Sequence, residues 1–281
     1  MNTAKASVSL EVVAPSMGSG VWSTLRIEAA MAAAKEPILA SLLNATILNH
    51  ASFADALSYQ LAQKLGGADM NSLQIREVCA GAFAKDPSIV ASAEADVRVV
   101  KMRDPACRTY VQPFLYYKGF AALQAHRVAH HLWTTGREML AFHLQSRVAE
   151  LLQLDIHPAA RLGQGIFMDH ATGIVIGETA VVGDNVSMLH NVTLGGTGKE
   201  GGDRHPKIGA GVLIGAGAKI LGNIRVGEGA RIASGSVVLH DVMAGCTVAG
   251  VPAKPVGGPC CENPAENMDH VFDVATFDPG L

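Results

Sequence analysis

The chain has 281 residues and a formal net charge of −3, with 49% hydrophobic but only 5% aromatic residues. That length holds one large domain or two modest ones, and the charge excludes the basic footprint of a nucleic-acid binder or a polybasic membrane surface. No apolar run approaches the roughly 18 residues of a spanning helix, and five scattered cysteines without paired metal spacing point to a reducing cytoplasm.

Residues 1–22 read as a flexible leader, since the first twenty hold one Lys, one Glu and no clean apolar segment. From residue 23 to residue 154 the pattern is helical. Leu57, Leu61 and Leu65 recur at four-residue spacing until Gly66-Gly67 stops the run. Ser52 followed by Asp55 reads as a capping box that opens this helix. Asp104-Pro105 reads as an N-cap with proline at the first helical position. An apolar-periodic stretch over 113–152 follows, broken near Thr134-Thr135-Gly136, and the whole predicts a helical bundle. His126 and His130 stand four residues apart in it; such a pair can chelate a metal but is more often structural, and no metal is expected.

After Asp155 the period changes. An aliphatic residue recurs every six positions, as in Ile208, Ile214, Ile220, Val226, Ile232 and Val238, and upstream in Ile176, Val182, Met188 and Leu194. Ile156, Leu162 and Met168 carry the same beat earlier. A helix repeats at 3.6 and a strand at 2. A beat of six fits a coil of three short strands, each turning one aliphatic side chain inward and stacking on its neighbours. Residues 155–257 are therefore expected to form a parallel β-helix, left-handed as in other hexapeptide-repeat families, which gives an α+β chain with the helical domain first.

The beat slips twice. The step from Met168 to Ile176 is eight, around Asp169-His170-Ala171-Thr172-Gly173, and the step from Leu194 to Ile208 is fourteen. The second slip is glycine-rich and charged, and predicts a protruding loop. Interruptions in a rigid scaffold are where sites tend to be placed. The tail, 258–281, is acidic without Lys or Arg and is expected to be flexible.

Asp155 and His170 lie fifteen residues apart, under one coil of about eighteen, so they can meet on adjoining turns. A histidine oriented by a carboxylate is a good general base near neutral pH; a hydrogen-bonded histidine in a turn is the plain alternative. Arg204 and His205, in the protruding loop, suit a small carboxylate or a merely solvated loop. Asp169 and Asp104 can bind an ammonium group or satisfy backbone donors.

The run DIHPAARLGQGIFMDHATGIVIGETAVVGDNVSMLHNVTLGGTGKEGGDRHPKIGAGVLIGAGAKILGNI strongly resembles bacterial and plant serine acetyltransferases, as does RDPACRTYVQPFLYYKGFAALQAHRVAHHLW. The resemblance spans about 23–256. It implies acetyl transfer from acetyl-CoA to the L-serine hydroxyl, the first step of cysteine biosynthesis. His170 is then the general base and Asp155 its partner, Asp104 and Asp169 hold serine, and Arg204 and His205 grip its carboxylate. Backbone N–H groups near Gly195-Gly196 are candidates for the oxyanion. No cysteine lies in DHATG, GGTGK or GGDRHPKI, so direct transfer is expected.

The resemblance further implies an acetyl-CoA groove between neighbouring β-helices. Gly196, Thr197, Gly215, Ala216, Ala233 and Ser234 would admit the pantetheine, and Lys219 and Lys254 would meet phosphates. It implies trimers joined into a hexamer, competitive inhibition by L-cysteine, and a C-terminus that enters O-acetylserine sulfhydrylase. Leu281 stands where the family ends in isoleucine, a departure at the inserting residue. Competing readings are a hexapeptide acyltransferase for a sugar or amine, a zinc lyase using His170, His190 and His205, and a scaffold without catalysis.

Overall fold

A computed structural model describes residues 20–198, 201–257 and 263–270. The expected leader up to residue 19 and Leu281 lie outside the described residues. Helix begins at Val21, two residues before the expected boundary.

The first half is helical: α1 (Val21–Lys35), α2 (Ala40–Leu43), α3 (Phe53–Leu65), α4 (Ser72–Lys85), α5 (Ser88–Arg103), α6 (Val111–Tyr116), α7 (Lys118–Thr134) and α8 (Glu138–Leu152). Local chemistry sets the starts. Ser52 Oγ accepts the Asp55 N–H at 3.1 Å and donates to its carboxylate, and Asn71 with Gln74 closes a reciprocal capping box on α4. The expectation at Asp104 is corrected. Asp104 follows the last turn of α5, its N–H bonds to Val100 O, and a turn separates it from α6. Its carboxylate does accept a backbone N–H two residues on, from Ala106 at 2.8 Å. That is the same local preference of Asp, used in a turn where no helix follows.

Helix α7 runs through the middle of the molecule, and most of its residues from Gly119 to Ala129 are buried. The Asp96 carboxylate, fully buried on α5, accepts from Gln124 Nε2 and from Arg127 Nε and Nη2. Its other oxygen takes the Ile166 N–H at 3.0 Å, and Arg127 Nη2 also reaches Gly163 O at 2.7 Å. This network fastens the helices to a corner of the second half. Arg127→Met leaves Asp96 buried without its counter-ion and is expected to cost about 3–5 kcal/mol. Urea midpoints measure this, and Asp96→Asn in the same background should recover most of the loss. His130 Nδ1 lies 2.7 Å from Pro158 O, and burial pushes His126 down to about 3, so it stays neutral. Among the described residues no three His, Cys, Asp or Glu side chains are grouped to hold a metal ion. No helix among them is long and apolar enough to cross a membrane.

The second half winds as a parallel β-helix. Its first coil is β1 (Asp155–Ile156), β2 (Arg161–Leu162) and β3 (Phe167–Met168), and its second is β4 (Val175–Ile176), β5 (Val181–Val182) and β6 (Ser187–Met188). The third is β7 (Thr193–Gly195), β8 (Lys207–Ile208) and β9 (Leu213–Ile214), and the fourth is β10 (Lys219–Leu221), β11 (Arg225–Val226) and β12 (Arg231–Ile232). β13 (Val237–Val238), β14 (Thr247–Gly250) and β15 (Ala253–Pro255) close the stack, with β15 antiparallel to β14.

Every third strand joins the same sheet. Sheet A is β1-β4-β7-β10-β13, sheet B is β2-β5-β8-β11, and sheet C carries β3, β6, β9, β12 and β14. Ile156, Ile176, Leu194, Ile220 and Val238 stand in register up the inside of sheet A, each 3% exposed or less. The six-residue beat is thus one inward residue per strand.

The expected loose tail is corrected for residues 263–270. Helix α9 (Pro264–Asn267) seats Ala265 fully buried, and Ala265 O accepts from Ser187 Oγ at 2.8 Å. Arg231 Nη1 reaches the Asp269 carboxylate at 3.2 Å, while Met268 packs beside Val100, Cys107 and Phe167. An acidic segment without cations of its own finds its cation on the β-helix.

Candidate active site

The chain turns from sheet C into sheet A through residues 169–173, the first slip in the beat. His170 and Ala171 have φ of 55° and 61°, a left-handed conformation that costs of order 1–3 kcal/mol per side-chain-bearing residue. The turn throws the His170 side chain outward, 73% exposed. Its Nε2 lies 3.7 Å from the Asp169 carboxylate, and its ring stands 5.9 Å from that of His190 on the coil above. Asp104 enters from the loop after α5, with one oxygen on the Ala106 N–H. Asp104, Tyr117, Lys118, Asp169 and His170 line a cleft of about 620 Å³.

Two carboxylates facing one cleft have the charge that suits a cationic group. Burial pushes the Asp169 carboxyl above its ordinary 3.8, His170 pulls it back and Asp104 pushes it up again. A carboxyl raised by folding holds more protons folded than unfolded. The destabilisation therefore grows as pH rises from about 3.8 and is complete once the pH has passed the raised folded-state pKa. Asp169→Asn is expected to raise the thermal midpoint at neutral pH, with the gain vanishing on acidification. Thermal scans across that range check it, and an unraised midpoint at neutral pH would show the charge already compensated.

Asp155 opens β1 at this same corner. Its N–H bonds to Ile174 O at 2.9 Å, and Gly173 N–H bonds to Gln153 O at 2.8 Å. Its carboxylate accepts from Gln145 Nε2 at 2.6 Å, whereas the carboxylate paired with His170 is that of Asp169. Gln145 carried no signal in the sequence. Cys107, beside Asp104, is 6% exposed, and burial pushes its thiol up, which disfavours the thiolate.

Arg204 and His205 lie at a different corner, where sheet A turns into sheet B. The His205 ring packs on Gly177, where a Cβ would stand 2.0 Å from it. Its Nδ1 accepts the Thr179 N–H at 3.2 Å, with Thr179 Oγ1 at 2.9 Å, so Nε2 carries the proton. Burial and the Arg204 charge hold the His205 pKa below its usual value, so this donor is neutral. Arg204 Nη2 donates to Glu178 Oε2 at 2.7 Å, and Arg204 holds the Glu178 carboxyl low in turn. Glu178 and Thr179 were not singled out by the sequence. Their signal is positional: they form the corner directly beneath the second slip.

The remaining candidates divide the same way. Gly215, Ala216, Ala233 and Ser234 climb the edge above His170, where Gly217 N–H bonds to His190 O and Gly235 N–H to Ala216 O. Gly215 is fixed by contact, since a Cβ there would meet Ser234 N at 2.6 Å. Lys219 Nζ donates to Asn191 O and Thr193 Oγ1 on this edge. Gly196 and Thr197 lie on the Arg204 edge, and Lys254 lies on β15, opposite Ala249. One strand and its flanks separate the two edges, roughly 20 Å at about 3.3 Å per residue. His190 is also at the first edge and His205 at the second, so within one chain the three histidines of the zinc reading do not converge.

A β-helix of hexapeptide coils with an exposed histidine at one edge and an arginine-histidine pair at another fits a hexapeptide-repeat transferase. The family model for bacterial transferase hexapeptides matches residues 205–240, and that for the serine acetyltransferase N-terminal region matches residues 21–125. The chain is 55% identical to the serine acetyltransferase of Escherichia coli K12 over 253 residues, 90% of this chain and 93% of that one. A solved serine acetyltransferase in complex with cysteine superposes with a TM-score of 0.89 at 49% identity, covering 90% of this chain and 98% of the other. That of Brucella abortus in complex with coenzyme A gives 0.84 at 52% identity, covering 86% and 96%. The chain belongs to the serine acetyltransferase family, whose β-helix is left-handed.

Proposed function

We propose that the chain transfers acetyl from acetyl-CoA to the hydroxyl of L-serine, in sites completed between neighbouring copies. The observation that carries this is the separation of the two receptors. The His170, Asp169 and Asp104 group and the Arg204 and His205 group occupy opposite edges of sheet A, too far apart for one amino acid to touch both in a single chain. A trimer with its β-helices side by side would set one edge against the other.

In that site Asp104 and Asp169 take the ammonium group, while Arg204 and the Nε2–H of His205 take the carboxylate. The hydroxyl is thereby aimed. His170 removes its proton as the oxygen attacks the thioester carbonyl, and later returns a proton to the leaving thiolate. Backbone N–H groups near Gly195-Gly196 serve the developing oxyanion. Gly215, Ala216, Ala233 and Ser234 would hold the pantetheine along the first edge, with Gly196 and Thr197 across the seam and Lys219 and Lys254 near the phosphates. Asp155 is the proposed partner of His170, its second carboxylate oxygen remaining available beside the one that Gln145 holds.

L-cysteine, bound in a solved relative, presents the same ammonium and carboxylate and would compete with serine. Ile38, Leu73 and Met31 are 88%, 65% and 54% exposed on the helical half, which supports a second interface joining trimers. The described cysteines, Cys79, Cys107 and Cys246, are free, which supports a reducing cytoplasm. Capture of the Leu281 end by O-acetylserine sulfhydrylase is part of the same reading.

The deciding experiment is CoA release from acetyl-CoA with and without L-serine. Serine-dependent release is expected. Release with a sugar or amine but not serine would keep the transferase class and remove the substrate, and no release with any acceptor would leave a scaffold.

A further inference from the structure

The corner that presents His170 is held by contacts that the mechanism does not use. His170 and Ala171 are consecutive left-handed residues with side chains, a conformation that persists only where the surroundings over-determine it. The coil contributes part of this. Gly173 N–H reaches Gln153 O at 2.8 Å, Asn191 N–H reaches Thr172 O at 2.7 Å, and Thr172 N–H closes on His170 O at 2.8 Å. The rest comes from the other half of the molecule, at the first turn of α7. Lys118 Nζ donates to the Thr172 hydroxyl. The next residue, Gly119, is packed so closely that a Cβ there would stand 2.2 Å from Met168 O and 3.0 Å from Ala171 Cβ. Only glycine lets the helix begin this near the turn. Lys118 also lines the cleft with Asp169 and His170, yet its hydrogen bond is to Thr172.

We propose that Lys118 is a positioning residue for the general base. Its bond to Thr172 locks residues 169–173 in the conformation that presents His170, and Gly119 admits the helix close enough to make that bond. The helical half thereby takes part in catalysis through the shape of one turn. The inference rests on His170 being the base.

The test compares Lys118→Met, Thr172→Val, their double variant and Thr172→Ser with the full-length chain, with His170→Ala run beside them. Each of the first two is expected to lower kcat by ~10–100-fold, the scale of a misplaced catalytic group. KM values for serine and acetyl-CoA should stay within about twofold. The double variant should fall no further than the worse single one, because both remove one bond. Thr172→Ser keeps the hydroxyl and should restore near-native kcat. A raised serine KM at native kcat would make Lys118 a substrate contact and overturn the proposal. So would losses that multiply in the double variant, or a Thr172→Ser variant as slow as Thr172→Val. Native kcat in Lys118→Met beside an inert His170→Ala removes the brace alone, whereas a fully active His170→Ala removes the base assignment beneath it.

Discussion

Replacing His170 by alanine is expected to lower kcat by ~10²–10⁴-fold while the serine KM changes little, the usual contribution of a positioned general base. The expectation rests on geometry. His170 projects from a left-handed turn into a cleft already lined by two carboxylates, and a merely structural histidine would not be 73% exposed there. In the proposed site the ammonium group is held by Asp104 and Asp169, which the variant keeps, so binding should survive. Steady-state CoA release at saturating acetyl-CoA measures it, and a loss below tenfold would remove His170 from the base role. Asp155→Asn belongs in the same series. A comparable loss places Asp155 on His170 in the working assembly, whereas native kcat leaves its carboxylate serving Gln145 alone, as it does in the single chain.

At serine concentrations far below the raised KM of Arg204→Ala, co-expressing it with His170→Ala is expected to restore activity that neither homogeneous variant shows there. If each site takes the His170 edge from one copy and the Arg204 edge from the next, a homogeneous trimer of either variant has no intact site. A mixed trimer has one. Around a closed ring of three, the only intact pairing sets the Arg204→Ala chain's His170 edge against the His170→Ala chain's Arg204 edge, and this occurs once for either mixture. Trimers purified through two different tags should therefore show about one third of native activity, counted from the symmetry of a closed ring. Doubly tagged trimers without activity would overturn the shared site. Full-length serine KM values for Arg204→Ala alone supply the complementary reading, because the lost guanidinium fork should raise KM steeply.

Much of the fold was legible because it repeats. Ile156 through Val238 announce one inward residue per strand, and no other arrangement explains a step of six. The two slips marked the two corners that carry the candidate residues, since a coil that must close in register can expel extra residues only at a turn. Asp104 was legible as a residue that satisfies backbone donors, but not as a loop residue; an Asp beside a Pro has the same local chemistry in a turn as at a helix start. The tail was misread at 263–270 because charge bias describes a segment by itself, and the Arg231 that receives Asp269 lies 38 residues upstream. Gln145, Glu178, Thr179 and Lys118 act through contacts with residues far along the chain, so no local pattern exposed them.

By itself the sequence determined the helical half, the β-helix, the motifs and the chemical type of each receptor, because periodicity and residue identity are properties of the chain alone. Only the tertiary structure decided that these candidate residues divide between two edges, that His205 Nδ1 faces Thr179, and that α7 abuts the turn carrying His170. Those facts depend on which side chains meet across coils and domains. Distance, tautomer and strain exist only once the chain has closed on itself.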